Sequence, residues 1–153
     1  MIFAVDFDGT VVRQQGRRYD DLDTPLEFMP GAERALKALK AAGHVLLLWS
    51  ARASRSLLYD PMLDSLVRAG VRPLDVERWR KSQPIHLARY RQMLTFATER
   101  LAGIFDAVDD GAAGKPIVDC IIDNIALRLG DGMGGVGWYV IQEMYGDIAA
   151  AES

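Results

Sequence analysis

The chain of 153 residues has little of what several common kinds of site require. It holds one cysteine, Cys120, which excludes an intrachain disulfide and a zinc cluster built on cysteines. It has only two histidines, His44 and His86, so a histidine-based metal site is not favoured. No apolar run approaches the roughly 18 residues of a membrane-spanning helix. We therefore expect a cytoplasmic, globular protein in which Cys120 is a small buried strand residue.

The chain also lacks a strong charge of one sign. Its net charge is −3, half of its residues are hydrophobic and a quarter are charged, as in ordinary globular domains. This balance does not suggest a general nucleic-acid surface. The basic and aromatic residues from Arg78 to Arg91 could contact nucleic acid, but an amphipathic helical face is the favoured interpretation. The length suits a single domain, residues 1–153, with one core.

Continuous apolar runs predict buried parallel strands that are covered on both faces. The runs are Ile2–Val5, Val45–Trp49, Val118–Ile122 and Trp138–Ile141, with Ile104–Val108 as a weaker fifth.

Helical patterns separate these runs. In the first helix, Pro30 is placed as a first-turn proline and Gly43 as the C-terminal cap. A second helix is predicted over 57–69 and a third over about 85–101. The alternation predicts an α/β fold: a doubly wound, mainly parallel sheet with helices on both faces, Rossmann-like in outline. We also expect a short helical insertion at about 72–103.

The stretch richest in chemistry is Asp6-Phe7-Asp8-Gly9-Thr10, which ends the first apolar run. Residues i and i+2 of a strand share a face, so the two carboxylates should point the same way. Two like charges that close repel each other and cost stability unless a cation or a reaction uses them. This run is too acidic and too short for a signal peptide.

Other polar residues follow the predicted strands. Ser50 ends the second run and Arg52 comes shortly after it, while Asp123 and Asn124 end the fourth run and Lys115 precedes it. Ligands of such sheets bind beyond the carboxyl ends of the strands. Carboxylates, a hydroxyl and an ammonium at one edge suit a phosphoryl group bound to Mg²⁺, which takes oxygen ligands.

The order of these residues resembles the four motifs of the haloacid dehalogenase (HAD) superfamily of hydrolases. The matching segments are Asp6 to Thr10, the hydrophobic run ending at Ser50, Lys115, and Ile121 to Asn124. The resemblance covers nearly the whole chain, which is similar in outline to the small, nearly capless HAD phosphatases.

The resemblance implies a role for each motif residue. Asp6 would be the nucleophile that forms an aspartyl-phosphate, and Asp8 the general acid/base. Mg²⁺ would bind the carboxylates of Asp6 and Asp123 and the backbone carbonyl of Asp8, while Ser50 and Lys115 would hold the phosphoryl oxygens.

The remaining candidates depart from or extend this pattern. Asn124 stands where the family has a second aspartate, so we expect it to orient a neighbour or a metal-bound water. We further expect a substrate-binding set of Gly9, Thr10, Ser50, Arg52 and Lys115. For Arg52, a surface or salt-bridging arginine is an equally open interpretation.

The predicted function is therefore hydrolysis of a phosphate monoester by a Mg²⁺-dependent phosphatase. Only a short flap, Val11–Met29, separates the first motif from the first helix, so the site should be open to a small or a large phosphorylated substrate. The 72–103 segment could serve as a minimal lid or as a homo-oligomer contact. No nucleic-acid or membrane partner is expected.

Two alternatives stay open. Receiver domains also surround Mg²⁺ with acids, a hydroxyl and a lysine, and would act as phosphoacceptor signalling modules. Their order of residues differs, because here Asp123 follows Lys115. The second alternative is a non-catalytic binding protein on a HAD scaffold, which Asn124 hints at.

Overall fold

A computed structural model describes residues 1–14, 16–53, 70, 73–110, 116–123 and 138–146, with only the backbone for 73–83. Within these residues, a four-stranded parallel sheet and three helices form a Rossmann-like α/β fold, which confirms the predicted class. The elements in chain order are β1 (Ile2–Val5), α1 (Ala32–Ala41), β2 (Val45–Leu48), a 3₁₀ turn (Ala51–Ala53), α2 (Pro73–Arg100), β3 (Ala107–Val108), β4 (Cys120–Ile122) and α3 (Trp138–Tyr145). The predicted helix 57–69, Lys115 and Asn124 lie outside the described residues.

Strand β1 lies inside the sheet, whose order is β3-β2-β1-β4. Phe3, Ala4 and Val5 alternate between the two faces of β1, and all three are fully buried, so both faces are covered. The chain moves outward from β1 through β2 to β3 and then returns to the other side of β1 as β4. Open α/β sheets bind ligands beyond the carboxyl ends of the strands at such a reversal, which here lies between β1 and β4.

Helix α1 forms on the predicted apolar stripe. Its buried residues are Ala32, Ala35, Leu36 and Leu39. The helix begins at Ala32, directly after its N-cap residue Gly31. Pro30 therefore precedes the cap, and the prediction that it lies in the first turn is wrong. Gly43 ends the helix as predicted: its φ of 82° is left-handed, and its N–H donates to the Lys40 carbonyl over 3.0 Å.

Helix α2 begins at Pro73, twelve residues before the predicted start at Ile85. Pro84 lies inside the helix. In the C-terminal half of the helix, Met93, Phe96 and Ala97 belong to the main hydrophobic core. That half of the 72–103 segment is therefore core structure of this domain.

The prediction of a strand over Trp138–Ile141 is wrong, because these residues begin helix α3. An apolar run of four residues does not by its periodicity distinguish a strand from a buried helix. The burial pattern decides it: Trp138 and Ile141 are buried, while Tyr139 and Val140 are 54% and 41% exposed. Spacing of three between buried residues is helical, whereas a strand would pair alternate residues.

His44 has a structural role at the other end of the sheet, as predicted. It is buried between the N-terminal amine, 3.2 Å from Nδ1, and the Tyr145 carbonyl, 2.8 Å from Nε2. Cys120 lies on β4 as predicted, but it is only partly buried, and this burial raises the pKa of its thiol. No helix in the described part of the chain is long and apolar enough to cross a membrane.

The helical assignment of α3 predicts unequal effects at two neighbouring apolar positions. Ile141→Ala should lower the free energy of unfolding by about 2–4 kcal/mol because it opens a cavity in the core. Val140→Ala, on the exposed face, should change it by less than about 0.5 kcal/mol. Urea denaturation of both variants measures the difference, and a larger loss at Val140 would contradict the helix.

Candidate active site

The ends of β1 and β4 bring two carboxylates together, as the sequence predicts. Val5 pairs with Ile122 in the parallel ladder, so Asp6 and Asp123 each come directly after a paired position. The backbone N–H of Asp6 extends the ladder by donating to the Ile122 carbonyl over 2.9 Å. The two side chains are close enough for the charge of Asp123 to act on the titration of Asp6.

Asp6 is a carboxylate held where its charge is costly. Burial is the main cause that raises its pKa to about 6, and repulsion from Asp123 and Asp8 adds to the rise. The Phe7 backbone N–H and the Thr10 hydroxyl oppose it, the latter donating to Asp6 Oδ2 over 3.4 Å. Desolvation thus outweighs the hydrogen bonds.

A tight loop after β1 places the Thr10 hydroxyl next to the Asp6 carboxylate. The Phe7 carbonyl accepts N–H groups of Val11 and Val12 over 2.9 and 3.1 Å, and Gly9 turns the chain with a φ of 75°. A β-branched residue would be strained at that φ. Thr10 is fully buried, and its carbonyl accepts a 2.9 Å bond from Nε1 of Trp138. Helix α3 therefore stabilises the loop, which gives Gly9 and Thr10 a positioning role.

Asp8 is bound by two arginines. Arg52 grips it in a bidentate manner, with Nε to Oδ2 and Nη2 to Oδ1 both 2.6 Å. Nη2 of Arg89 donates to Oδ2 over 3.3 Å. The side chains of Asp8, Arg52 and Arg89 are only 17%, 3% and 6% exposed, so this is a buried cluster of one anion and two cations.

Arg52 makes the ion pair that was one of its two interpretations. Besides Asp8, it donates from Nη1 to the Arg89 carbonyl over 2.8 Å and to the Gln92 side chain over 3.1 Å. Its guanidinium carbon also lies 4.9 Å from the centre of the Phe7 ring. These contacts commit most of its donors, so the described geometry is that of a residue holding Asp8.

Ser50 stands at the same sheet edge. The ladder continues past β2, with the Trp49 N–H donating to the Val5 carbonyl over 2.9 Å. Ser50 is buried, and its Oγ accepts the Arg52 N–H over 3.3 Å at the start of the 3₁₀ turn. A hydroxyl that accepts one bond can still donate its own hydrogen. The position of Ser50 therefore fits the predicted phosphoryl contact.

The sequence did not indicate Arg89 as a site residue. It lies in the basic stretch interpreted as an amphipathic helical face, and it is 5% exposed and reaches Asp8. Burial and the nearby charge of Arg52 lower its pKa. The available signal was spacing: His86, Arg89 and Gln92 recur every three residues and thus share a face of α2.

The donors present fit a hard divalent cation that keeps several waters. Among the described residues, no three acidic, histidine or cysteine side chains form a metal-binding group. The implied set needs only two carboxylates, those of Asp6 and Asp123, and a main-chain carbonyl at Asp8. Mg²⁺ is commonly held by one or two carboxylates plus substrate phosphate. The Asp8 carboxylate faces arginines instead, so as a metal ligand Asp8 would contribute its carbonyl.

Comparison with models of known families, with curated proteins and with solved structures finds no match to this chain.

Asp6→Asn should stabilise the protein increasingly as the pH rises, in the presence of a chelator. The folded pKa of about 6 exceeds the unfolded value, so the stability contributed by Asp6 is full at low pH and is lost as the pH rises through about 6. The gap between variant and wild type should widen from pH 4 to pH 8 by on the order of 3 kcal/mol.

Urea denaturation across that range measures the gap. Asp106 is the control of opposite sign, because its bonds to Lys40 and the Leu46 N–H lower its pKa. Asp106→Asn should therefore lose stability near neutrality and recover at low pH. A gap for Asp6→Asn that does not vary with pH would contradict the assigned environment.

Asp8→Asn should have the opposite effect on stability at neutral pH. It leaves two buried guanidiniums without their shared anion, and breaking a buried pair costs about 3–5 kcal/mol. Asp20→Asn is the matched control, since Asp20 pairs with Arg18 on an exposed surface and should unfold like the wild type. Equal midpoints for the two variants would argue against the buried cluster.

Proposed function

We propose that this protein is a Mg²⁺-dependent phosphatase of the HAD type, which hydrolyses a phosphate monoester through an aspartyl-phosphate on Asp6. The observation that carries the proposal is the convergence of Asp6 and Asp123 beyond two adjacent parallel strands, at the reversal point of the sheet. A partly buried pair of acids opposes stability by itself, which favours a functional reason for it.

In the proposed first step, an Asp6 oxygen attacks phosphorus, and the bond from phosphorus to the leaving oxygen breaks. Asp8, protonated at the start of this step, gives its proton to that oxygen as it departs and is left as the carboxylate. In the second step, Asp8 takes a proton from water, which attacks phosphorus and releases Asp6 and phosphate. Two displacements replace one difficult displacement.

The surrounding groups would stabilise the negative charge that develops on the phosphoryl oxygens. Ser50 is proposed to donate a hydrogen bond to a phosphoryl oxygen, and Lys115 to supply a positive charge. Mg²⁺ held by Asp6 and Asp123 would offset the negative charge of the substrate and the acids. Asp8 can take part because its arginines occupy about three of the four acceptor positions of a carboxylate.

Turnover of p-nitrophenyl phosphate with Mg²⁺ tests the proposal. Asp6→Asn should abolish activity, and Asp8→Asn should lower kcat by about 10²–10⁴-fold, the usual contribution of a general acid/base. Glu33→Gln makes the same change from carboxyl to amide on the exposed face of α1 and should keep wild-type activity.

Other outcomes separate the alternatives. A stable, stoichiometric phosphoprotein without turnover would favour the receiver-like module. A wild type as inert as Asp6→Asn on a broad panel of phosphate esters would favour the binding protein.

A further inference from the structure

The flap, Val11–Met29, packs against one face of α2. The two ends of the flap, residues 11–13 and 27–29, form its stem and are joined by main-chain hydrogen bonds. The Arg13 N–H donates to the Glu27 carbonyl over 2.8 Å, and the Met29 N–H donates to the Val11 carbonyl over 2.9 Å. The part beyond the stem rests on α2. There, His86 contacts the Tyr19 hydroxyl and Gln92 donates to the Leu22 carbonyl over 3.2 Å.

Arg89 touches both the flap and the acid/base candidate. Nη1 donates to the Tyr19 carbonyl over 2.7 Å, and the guanidinium carbon lies 4.1 Å from the centre of the Tyr19 ring. The other terminal nitrogen, Nη2, donates to Asp8 over 3.3 Å. A planar guanidinium fixes these donors relative to each other, so a shift of Tyr19 is transmitted to the contact with Asp8.

The two arginines hold Asp8 unequally. Arg52 makes two bonds of 2.6 Å and is fastened to α2 by two more, whereas Arg89 makes one longer bond. The two guanidiniums also repel each other. Arg52 is therefore the fixed support of Asp8, and the contact from Arg89 is the one that can adjust.

We propose that Arg89 is a positioning residue that couples the flap to Asp8, so that the seating of the flap over α2 sets the place of the proton-transferring carboxylate. The coupling is reciprocal, because a free energy shared by two contacts acts in both directions. A change at Asp8 must therefore loosen the flap, although the hydrogen bonds given for the Asp8 carboxylate among the described residues come from Arg52 and Arg89 and not from the flap. The link to proton transfer rests on the proposed function; the mechanical coupling does not.

Amide hydrogen exchange of the flap tests the coupling without any activity. Arg89→Gln should speed exchange of residues 16–24 by about tenfold, the effect of losing a hydrogen bond to a charged group. Asp8→Asn should speed the same amides, and the double variant should exchange no faster than Arg89→Gln alone.

Asp21→Ala is the matched control, because it removes two hydrogen bonds within the flap, those from the Asp23 and Thr24 N–H groups to Asp21 Oδ1, and leaves the contacts of Tyr19 with Arg89 in place. Its effect on exchange should add to that of Asp8→Asn. Asp8→Glu, which keeps the charge and moves the carboxylate by one methylene, replaces Asp8→Asn if the latter does not fold. Flap exchange that ignores changes at Asp8, or additive effects of the Asp8 and Arg89 variants, would overturn the inference.

Kinetics then test the consequence for the reaction. In Arg89→Gln, kcat should fall further for an alkyl phosphate than for p-nitrophenyl phosphate, since only the poorer leaving group depends strongly on protonation. Equal losses with both substrates would mean that Arg89 supports the fold without placing Asp8. An inactive wild type with coupled exchange would reject the proposed function and leave the coupling intact.

Discussion

The parallel hydrogen-bonded pairing of β1 with both of its neighbours is the constraint on which the site depends. Main-chain bonds continue past the strands, from Asp6 to the Ile122 carbonyl and from Trp49 to the Val5 carbonyl. They leave Asp6, Ser50 and Asp123 at one edge regardless of the electrostatic cost. The packing of apolar side chains in β1, all buried beyond Ile2, supplies the stability that offsets this cost.

The two aspartates of one short motif occupy opposite electrostatic environments. Asp6 is desolvated and lies near other acids, whereas Asp8 lies between two guanidinium groups. Only Phe7 separates them in the sequence. Environments that differ this much over two residues are a common basis for dividing catalytic roles between similar groups. In this fold the difference in environment comes from elements far away in the chain, since Arg52 follows β2 and Arg89 comes from α2.

Much of the fold and half of the candidate site could be predicted because they depend on local patterns. Continuous apolar runs specify β1 and β2, and polar residues directly after such runs must lie at the sheet edge. The strand predicted at Trp138 is wrong because four apolar residues fit either a strand or a helix until their burial is known. Arg89 was not predicted as a site residue for a different reason. A buried arginine and a solvated one have the same sequence pattern, and only the location of Asp8 distinguishes them.

The pairing of β1 with β4 also sets the order in which the domain can assemble during synthesis. Ile2 and Asp119, which are joined by a hydrogen bond, are 117 positions apart. A nascent chain can pair β1 with β2 early, but the other edge of β1 stays open until β4 has been synthesised. Contacts over such distances form slowly, and an exposed apolar strand edge promotes aggregation. The acidic residues that end β1 would then keep that waiting edge hydrated, which is a benefit separate from any chemistry they perform later.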